Sequence, residues 1–440
     1  MKTVSVIAYS GALFHMTGDP ATLGADASHD YIPDGMLVVE QGCIKAMGPR
    51  AAIEPTLAGD TEIVDHGDNL IVPGFIDTHI HFPQLDMIAS YGEQLLDWLE
   101  RYTFPEEAKF RDEAHAADAA GFFVRELLRN GTTSALVYCT VHRQSVEALF
   151  EAAFSHNMRL IAGKALMDRN VPESVRDTAE GSDRDNRELI AAWHGKGRLG
   201  YAITPRFAPA CSDAQLTLAG KLLHEHDDVL MHTHISENVS EIAWVADLYP
   251  DAKNYLDVYD RFGLLTDRSV FAHGIHLSGE EFQRMAEADA AISYCPTSNL
   301  FLGSGLFNLK EAEAYGIKVG LGTDVGAGTS FSLLETMNEA YKVCQMRGHR
   351  LDAFKSFYLA TLGGAKALNM ADKVGSLTPG KEADFIVLDR QATPLLKRRL
   401  QNTRDIGELL FVLATLGDDR TISHTYVAGN CVHRRDCHPA

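Results

Sequence analysis

Ile71-Val-Pro-Gly-Phe-Ile-Asp-Thr-His-Ile-His81 is an apolar run that ends on two histidines two residues apart. In an extended strand, side chains at i and i+2 point to the same side, so His79 and His81 can converge on one metal ion. The chain holds 19 histidines, so a chance pair satisfied by hydrogen bonds competes with the ligand reading, and the surrounding pattern must decide.

Outward from this run, buried strands alternate with amphipathic helices. Apolar runs at Ile71–Ile80, Thr132–Tyr138, Arg159–Met167, Leu199–Thr204, Val229–Ser236, Ser269–His276, Ala290–Cys295 and Lys318–Thr323 make eight strands. Helical segments lie between most of them, such as Asp112–Arg129, with an apolar stripe marked by Phe122, Phe123, Leu127 and Leu128, and Ser212–His224. The pattern predicts an α/β protein built on a (β/α)8 TIM-like barrel. A doubly wound open sheet has the same local texture, but no G-x-G-x-x-G follows the first strand.

The flanks read differently. From Val4 to Asn69, short alternating apolar pieces broken by Gly, Pro and Asp predict a small antiparallel β unit. After a helical stretch at Leu333–Leu368, β texture returns at Gly375–Asp389 and Thr425–Val432. The expected division is residues 1–69 and 371–440 as two parts of one small β-sandwich domain, with the catalytic barrel over 70–370.

The chain has 440 residues, 45% of them hydrophobic, and a net charge of −20, with a pI near 5.3. That charge repels a phosphate backbone and an anionic membrane alike, so neither nucleic acid nor membrane is an expected partner; a small neutral or cationic ligand fits better. Seven cysteines without C-x-x-C spacing signal neither a disulfide framework nor a cysteine zinc site. The N-terminus alternates like a strand and no 18-residue apolar run occurs, which leads to the expectation of a cytoplasmic protein.

In a barrel of this kind, function gathers at the C-terminal ends of the strands. The first strand ends in His79 and His81, the fifth in His232-Thr-His234-Ile-Ser-Glu237, the sixth in His273-Gly-Ile-His276 and the eighth in Gly322-Thr-Asp324. Apolar strands have little structural reason to end this way four times. Three imidazole nitrogens and a carboxylate oxygen suit zinc, with a water completing a catalytic site. Spacing cannot rank His232 against His234, since both point the same way.

Bound zinc lowers the pKa of its water toward about 7, giving a hydroxide nucleophile at neutral pH. Hydroxide attack on an sp² carbon followed by protonation of a leaving amine is a hydrolytic deamination, and Glu237 and Asp324 have the right types to move those protons. His276 and Glu280 read as surface features of the next helix, and His224-Glu-His226-Asp-Asp228 as a solvated helix end. No H-E-x-x-H occurs, and the H-x-E plus P-C-x-x-C signature is absent.

These residues resemble the amidohydrolase superfamily, whose barrels carry H-x-H after the first strand, His after the fifth and sixth, and Asp after the eighth. Longer stretches are similar to the branch of that superfamily that deaminates guanine. They are Pro73–Gln84, Leu95-Leu-Asp-Trp-Leu-Glu-Arg-Tyr-Thr-Phe-Pro-Glu-Glu107, Thr204-Pro-Arg-Phe-Ala-Pro209, His234-Ile-Ser-Glu-Asn238 and Cys295–Gly305. The resemblance implies one Zn²⁺ per chain on His79, His81, His234 and Asp324, which turns His232 toward a supporting role. It implies Glu237 as proton shuttle to the purine, His273 as holder of the attacking hydroxide, and Gln84, Arg206 and Phe207 as the purine's contacts. The chemistry of those three agrees: an amide meets donor and acceptor edges, a guanidinium suits a carbonyl oxygen, and a phenyl ring offers a stacking face.

The implied reaction is guanine to xanthine and ammonia, with hydroxide attacking the aminated ring carbon, in a homodimer. Phe82-Pro83 departs from the smaller or more polar residues of the family pattern and is expected to shape the pocket floor. Lys164, where two-metal relatives have a bridging lysine, is expected to be structural. The competing readings are a deaminase or dechlorinase of another nitrogen heterocycle, such as 8-oxoguanine or a triazine, and a catalytically silent scaffold.

Overall fold

The structure, a computed structural model, describes residues 6–92 and 94–435. Val4, where the N-terminal β unit is expected to begin, lies outside the described residues.

Eight parallel strands form the barrel: Phe75–His81, Thr132–Tyr138, Arg159–Gly163, Leu199–Pro205, Leu230–Ile235, Ser269–His273, Ala291–Tyr294 and Lys318–Leu321. A two-residue strand, Ala165–Leu166, adds to the fourth. Hydrogen bonds from the Thr78 hydroxyl to the Leu321 carbonyl (2.9 Å) and from the Asp324 N–H to the His79 carbonyl (2.9 Å) join the first strand to the eighth and its exit.

Strand alternation explains the two cores. Ile76, Leu136, Ile161, Ala202, Leu230, Val270 and Ala291, one from each of the first seven strands, point inward and pack with Leu368 and Met370 as a plug at the barrel floor. Their neighbours, such as Phe75, Ala135, Val137 and Leu160, point outward against the helices. The helix Glu113–Arg129, capped by the Asp112 carboxylate accepting the His115 N–H, buries Phe123, Val124, Leu127 and Leu128 there. Phe122, expected on that stripe, is exposed instead, because a helical step of about 100° carries it off the face that meets the barrel.

The run quoted at the outset divides between two sheets rather than forming one strand. Glu62–Pro73 belongs to the flanking sheet and Phe75–His81 to the barrel. Gly74 makes the crossing possible: a Cβ there would lie 2.1 Å from the Thr133 hydroxyl oxygen. Its N–H bonds to the Asp384 carbonyl of the flanking sheet, while the next N–H, of Phe75, bonds to the Gly131 carbonyl beside the barrel.

The termini meet in one seven-stranded sheet, in the order Asn430–Arg434, Ile422–Val427, Phe385–Leu388, Glu62–Pro73, Val6–Met16, His29–Glu40, Cys43–Pro49. Strands from both wings share one apolar cluster, including Tyr9, Leu37, Ile44, Phe385 and Tyr426. All pairs are antiparallel except Val6–Met16 with Glu62–Pro73, which is parallel. The segment after 371 is not β throughout: helices Pro394–Leu400 and Ile406–Leu416 lie between its strands and send Leu396, Leu409 and Leu413 into the barrel's outer core.

Candidate active site

The strand ends deliver their polar residues to one place. His79 and His81 leave the first strand on the same side, both buried, and are met by His234 from the fifth strand and Asp324 from beyond the eighth. His81 Nε2 is 3.2 Å from His79 Nε2 and 3.1 Å from His234 Nε2. Asp324 Oδ1 is 3.1 Å from His79 Nε2 and 3.3 Å from His81 Nε2. Four ligand atoms at the corners of a tetrahedron with bonds of about 2.0–2.1 Å lie about 3.3 Å apart. These four separations, 3.1–3.3 Å, therefore match the spacing of ligands around one small divalent ion.

Its protonation also suits a cation. His234 Nδ1 donates to the Arg206 carbonyl at 2.6 Å, which leaves Nε2 as a bare lone pair. His79 Nδ1 meets His232 Nε2 at 2.7 Å. Burial is the first cause that holds His81 down to about 3 and lowers His79, His232 and His234 as well, so the imidazoles are neutral, the form that binds metal. For Asp324, burial pushes upward, but His79, His81 and His273 outweigh it and hold the carboxyl well below the usual range. Lone pairs and a carboxylate packed this closely repel one another unless a cation lies between them.

Two acid–base groups border the donors. Burial first, and then Asp324, push Glu237 up to about 8 against the Ser304 and Arg206 contributions, with the Ser304 hydroxyl donating to Oε1 at 3.1 Å. His273 Nδ1 is held by Asn299 Oδ1 at 2.9 Å. Its Nε2 has no hydrogen-bond partner among the described residues and faces Glu237 Oε2 at 3.4 Å and Asp324 Oδ2 at 3.8 Å. Ser236, His273 and Asp324 all sit at positive φ (48°, 71° and 51°), a conformation that costs non-glycine residues energy and recurs at functional sites.

Beside this set lies a cavity lined by Gln84, Trp98, Arg206, Phe207 and Leu302 together with His81, His234 and Asp324. Gln84 Oε1 accepts from the Gly326 N–H at 3.2 Å, its Nε2 donates to Glu107 Oε1 at 3.3 Å, and Arg206 Nη1 donates to the same oxygen at 2.6 Å. The Phe207 ring lies edge-on to Trp244 with centroids 6.1 Å apart.

Every residue singled out for ligation, proton transfer or purine contact thus borders one site. Sequence reasoning passed over several that support it. Glu107, Asn299 and Ser304 lie in motifs already noted for resemblance, but nothing in their spacing marks them. Phe82-Pro83 does not form the pocket floor: Phe82 turns away into the rings of Phe110 and Phe123, at 5.0 and 5.5 Å. Lys164 stays outside the donor set, buried against Asp177 and 3.6 Å from Asp185. His276 is exposed, 2.9 Å from the Ser304 carbonyl, and His224 is exposed at a helix end.

The model of the amidohydrolase family matches residues 70–432. The chain belongs to the amidohydrolase family. Among its relatives in that family, guanine deaminase of Escherichia coli K12 is 53% identical over 406 residues, covering 92% of each chain. A solved E. coli guanine deaminase structure superposes with a TM-score of 0.96 at 50% identity over 98% of this chain and all of that one. The Clostridium acetobutylicum guanine deaminase structure, with guanine bound in its active site, gives 0.88 at 31% identity over 98% of this chain and all of that one. Across the described residues of this amidohydrolase, no helix is long and apolar enough to cross a membrane.

Proposed function

We propose that this amidohydrolase hydrolyses guanine to xanthine and ammonia, with one zinc ion per chain held by His79, His81, His234 and Asp324. The observation that carries this reading is the cavity that joins the donors His81, His234 and Asp324 directly to Gln84, Arg206 and Phe207. The relative whose structure holds guanine in its active site supports it. Zinc, when bound, supplies positive charge that acidifies a water at the site.

The chain's own residues do the rest. Phe207 offers a face to a flat heterocycle and Arg206 donates to a ring carbonyl. Gln84 can then meet the ring's donor edge. Glu237 takes a proton from the attacking water and returns it to the ring nitrogen beside the aminated carbon. The new C–O bond forms at that carbon first, giving a tetrahedral adduct that carries both hydroxyl and amine. Asp324, through its second oxygen, passes the adduct's remaining hydroxyl proton to the amine; the C–N bond then breaks, ammonia leaves and the ring carbonyl forms. His273, its Nδ1 anchored on Asn299, orients the water through Nε2.

Ultraviolet absorbance of guanine turnover, with ammonia release, tests the assignment. Zinc-loaded protein that leaves guanine unchanged but hydrolyses 8-oxoguanine or a triazine would overturn the substrate and keep the chemistry. We further propose the homodimer that the family resemblance implies, to be measured by light scattering, and the cytoplasm as compartment, to be checked by fractionation.

A further inference from the structure

Glu107 is a fully buried carboxylate outside the donor set, on the short helix Phe104–Glu107. One oxygen, Oε1, accepts from both Arg206 (2.6 Å) and Gln84 (3.3 Å), and the other has no hydrogen-bond partner among the described residues. Burying half a carboxylate without a donor is a cost that an apolar residue would avoid. A purely structural role therefore explains Glu107 poorly.

What the arrangement achieves is orientation. A carboxylate only accepts hydrogen bonds, so Gln84 must turn its Nε2 toward Glu107 and its Oε1 toward the Gly326 N–H, at 3.2 Å. The amide cannot flip. Gln84 is left with one N–H and one oxygen lone pair for a ligand, and Arg206 keeps its remaining N–H donors in a fixed plane with its charge balanced.

We infer that Glu107 is a positioning residue for substrate selection, fixing Arg206 and Gln84 so that the cavity accepts a ring carbonyl opposite the guanidinium and rejects a ring amine there. The inference rests on the purine reading above. An amine facing Arg206 would set donor against donor in a buried site, the kind of mismatch that discriminates strongly.

The test is equilibrium binding of hypoxanthine and of adenine, one with a carbonyl and one with an amine at the same ring position, to the zinc-loaded protein by calorimetry. With Glu107→Gln, whose amide both donates and accepts, the preference for hypoxanthine is expected to fall at least about tenfold while zinc content holds; some loss of stability is expected as well, because the buried Arg206 charge loses its partner. KM for guanine should rise by a similar factor with kcat changed less, a split that general destabilisation does not produce. Combining Glu107→Gln with Gln84→Met should cost less than the sum of the two, since both disturb one arrangement. Should Glu107→Gln not fold, Glu107→Asp keeps the charge but withdraws the oxygen by one methylene, and the same loss is expected. A folded variant whose preference stays within twofold of the unaltered protein overturns the inference alone. An unaltered protein that binds no hypoxanthine overturns the purine reading and this inference with it.

Discussion

The two ends of the barrel both bury charge, and they do it in opposite ways. At the floor, Arg159 and Arg198, at the starts of the third and fourth strands, are met by Glu382 and Asp384 of the flanking sheet. Arg159 Nε donates to Glu382 at 2.9 Å, Arg198 Nε to the same oxygen at 3.0 Å, and Arg198 Nη2 bridges to Asp384. Asp384 also accepts the Ala428 N–H at 2.8 Å. Opposite charges meet and most polar atoms have partners, so the cluster reads as a clamp between barrel and sheet. At the top, three neutral imidazoles and a carboxylate present lone pairs to one another, and His273 Nε2 has no hydrogen-bond partner among the described residues. Two charged clusters on one scaffold are thus told apart by whether opposite charges within the protein balance one another.

The contrast breaks first at the donors. His81→Ala should bring bound zinc, measured by plasma mass spectrometry, below one per chain, and lower guanine turnover about 10³-fold or more, equivalent to several kcal/mol of barrier. Next is Glu237→Gln, expected to keep the metal and lose about 10²–10⁴-fold in kcat.

The same variant carries a signature in stability. The Glu237 carboxyl is raised from 4.5 to about 8 by burial, so in the metal-free protein its contribution is fully present below pH 4.5 and is lost as pH rises through about 8. Metal-free Glu237→Gln should therefore gain on the unaltered protein between those limits, by on the order of 4 kcal/mol, read by denaturant melts at pH 5 and pH 8.

At the floor the expectation reverses. Arg198→Met strands Asp384 as a buried carboxylate, which should cost about 3–5 kcal/mol of stability while zinc content and turnover per folded molecule stay unchanged; a loss of zinc instead would erase the distinction between the two ends. The smallest effect belongs to Lys164→Met. Asp177 keeps the Ser182 hydroxyl and the Thr178 N–H, so the loss should be about 1–2 kcal/mol, with no change in zinc stoichiometry if Lys164 bridges no metal.

Much of this was legible along the chain because it depends on local periodicity. Alternation in the buried strands placed their C-terminal residues on a common face, and the H-x-H, H-x-x-E and T-D strand ends stood out against apolar sequence. What stayed hidden depends on contacts between segments far apart. Glu107 is one acid in a pair, Glu106-Glu107, and only folding buries it completely and sets it against Arg206, 99 residues away. Phe82-Pro83 is expected at the pocket floor because it departs from the family pattern between His81 and Gln84, yet the turn after the first strand sends Phe82 to the opposite side, where Phe110 and Phe123 receive it.

The opening run shows where the division falls. The sequence by itself determined that His79 and His81 share a side, since a period of two residues needs no knowledge of the rest. Read alone, it makes Ile71–Ile80 one strand. Only the tertiary structure decided that Gly74 is a crossing from one sheet to another, because the close approach of Thr133 to Gly74 is set by a distant strand. The same holds for the fifth strand: His232 and His234 have identical parity, so no local rule separates them. The Arg206 carbonyl fixes His234 with its Nε2 toward the donor set, while His232 is used up holding His79, and that difference exists only once the barrel brings the strands side by side.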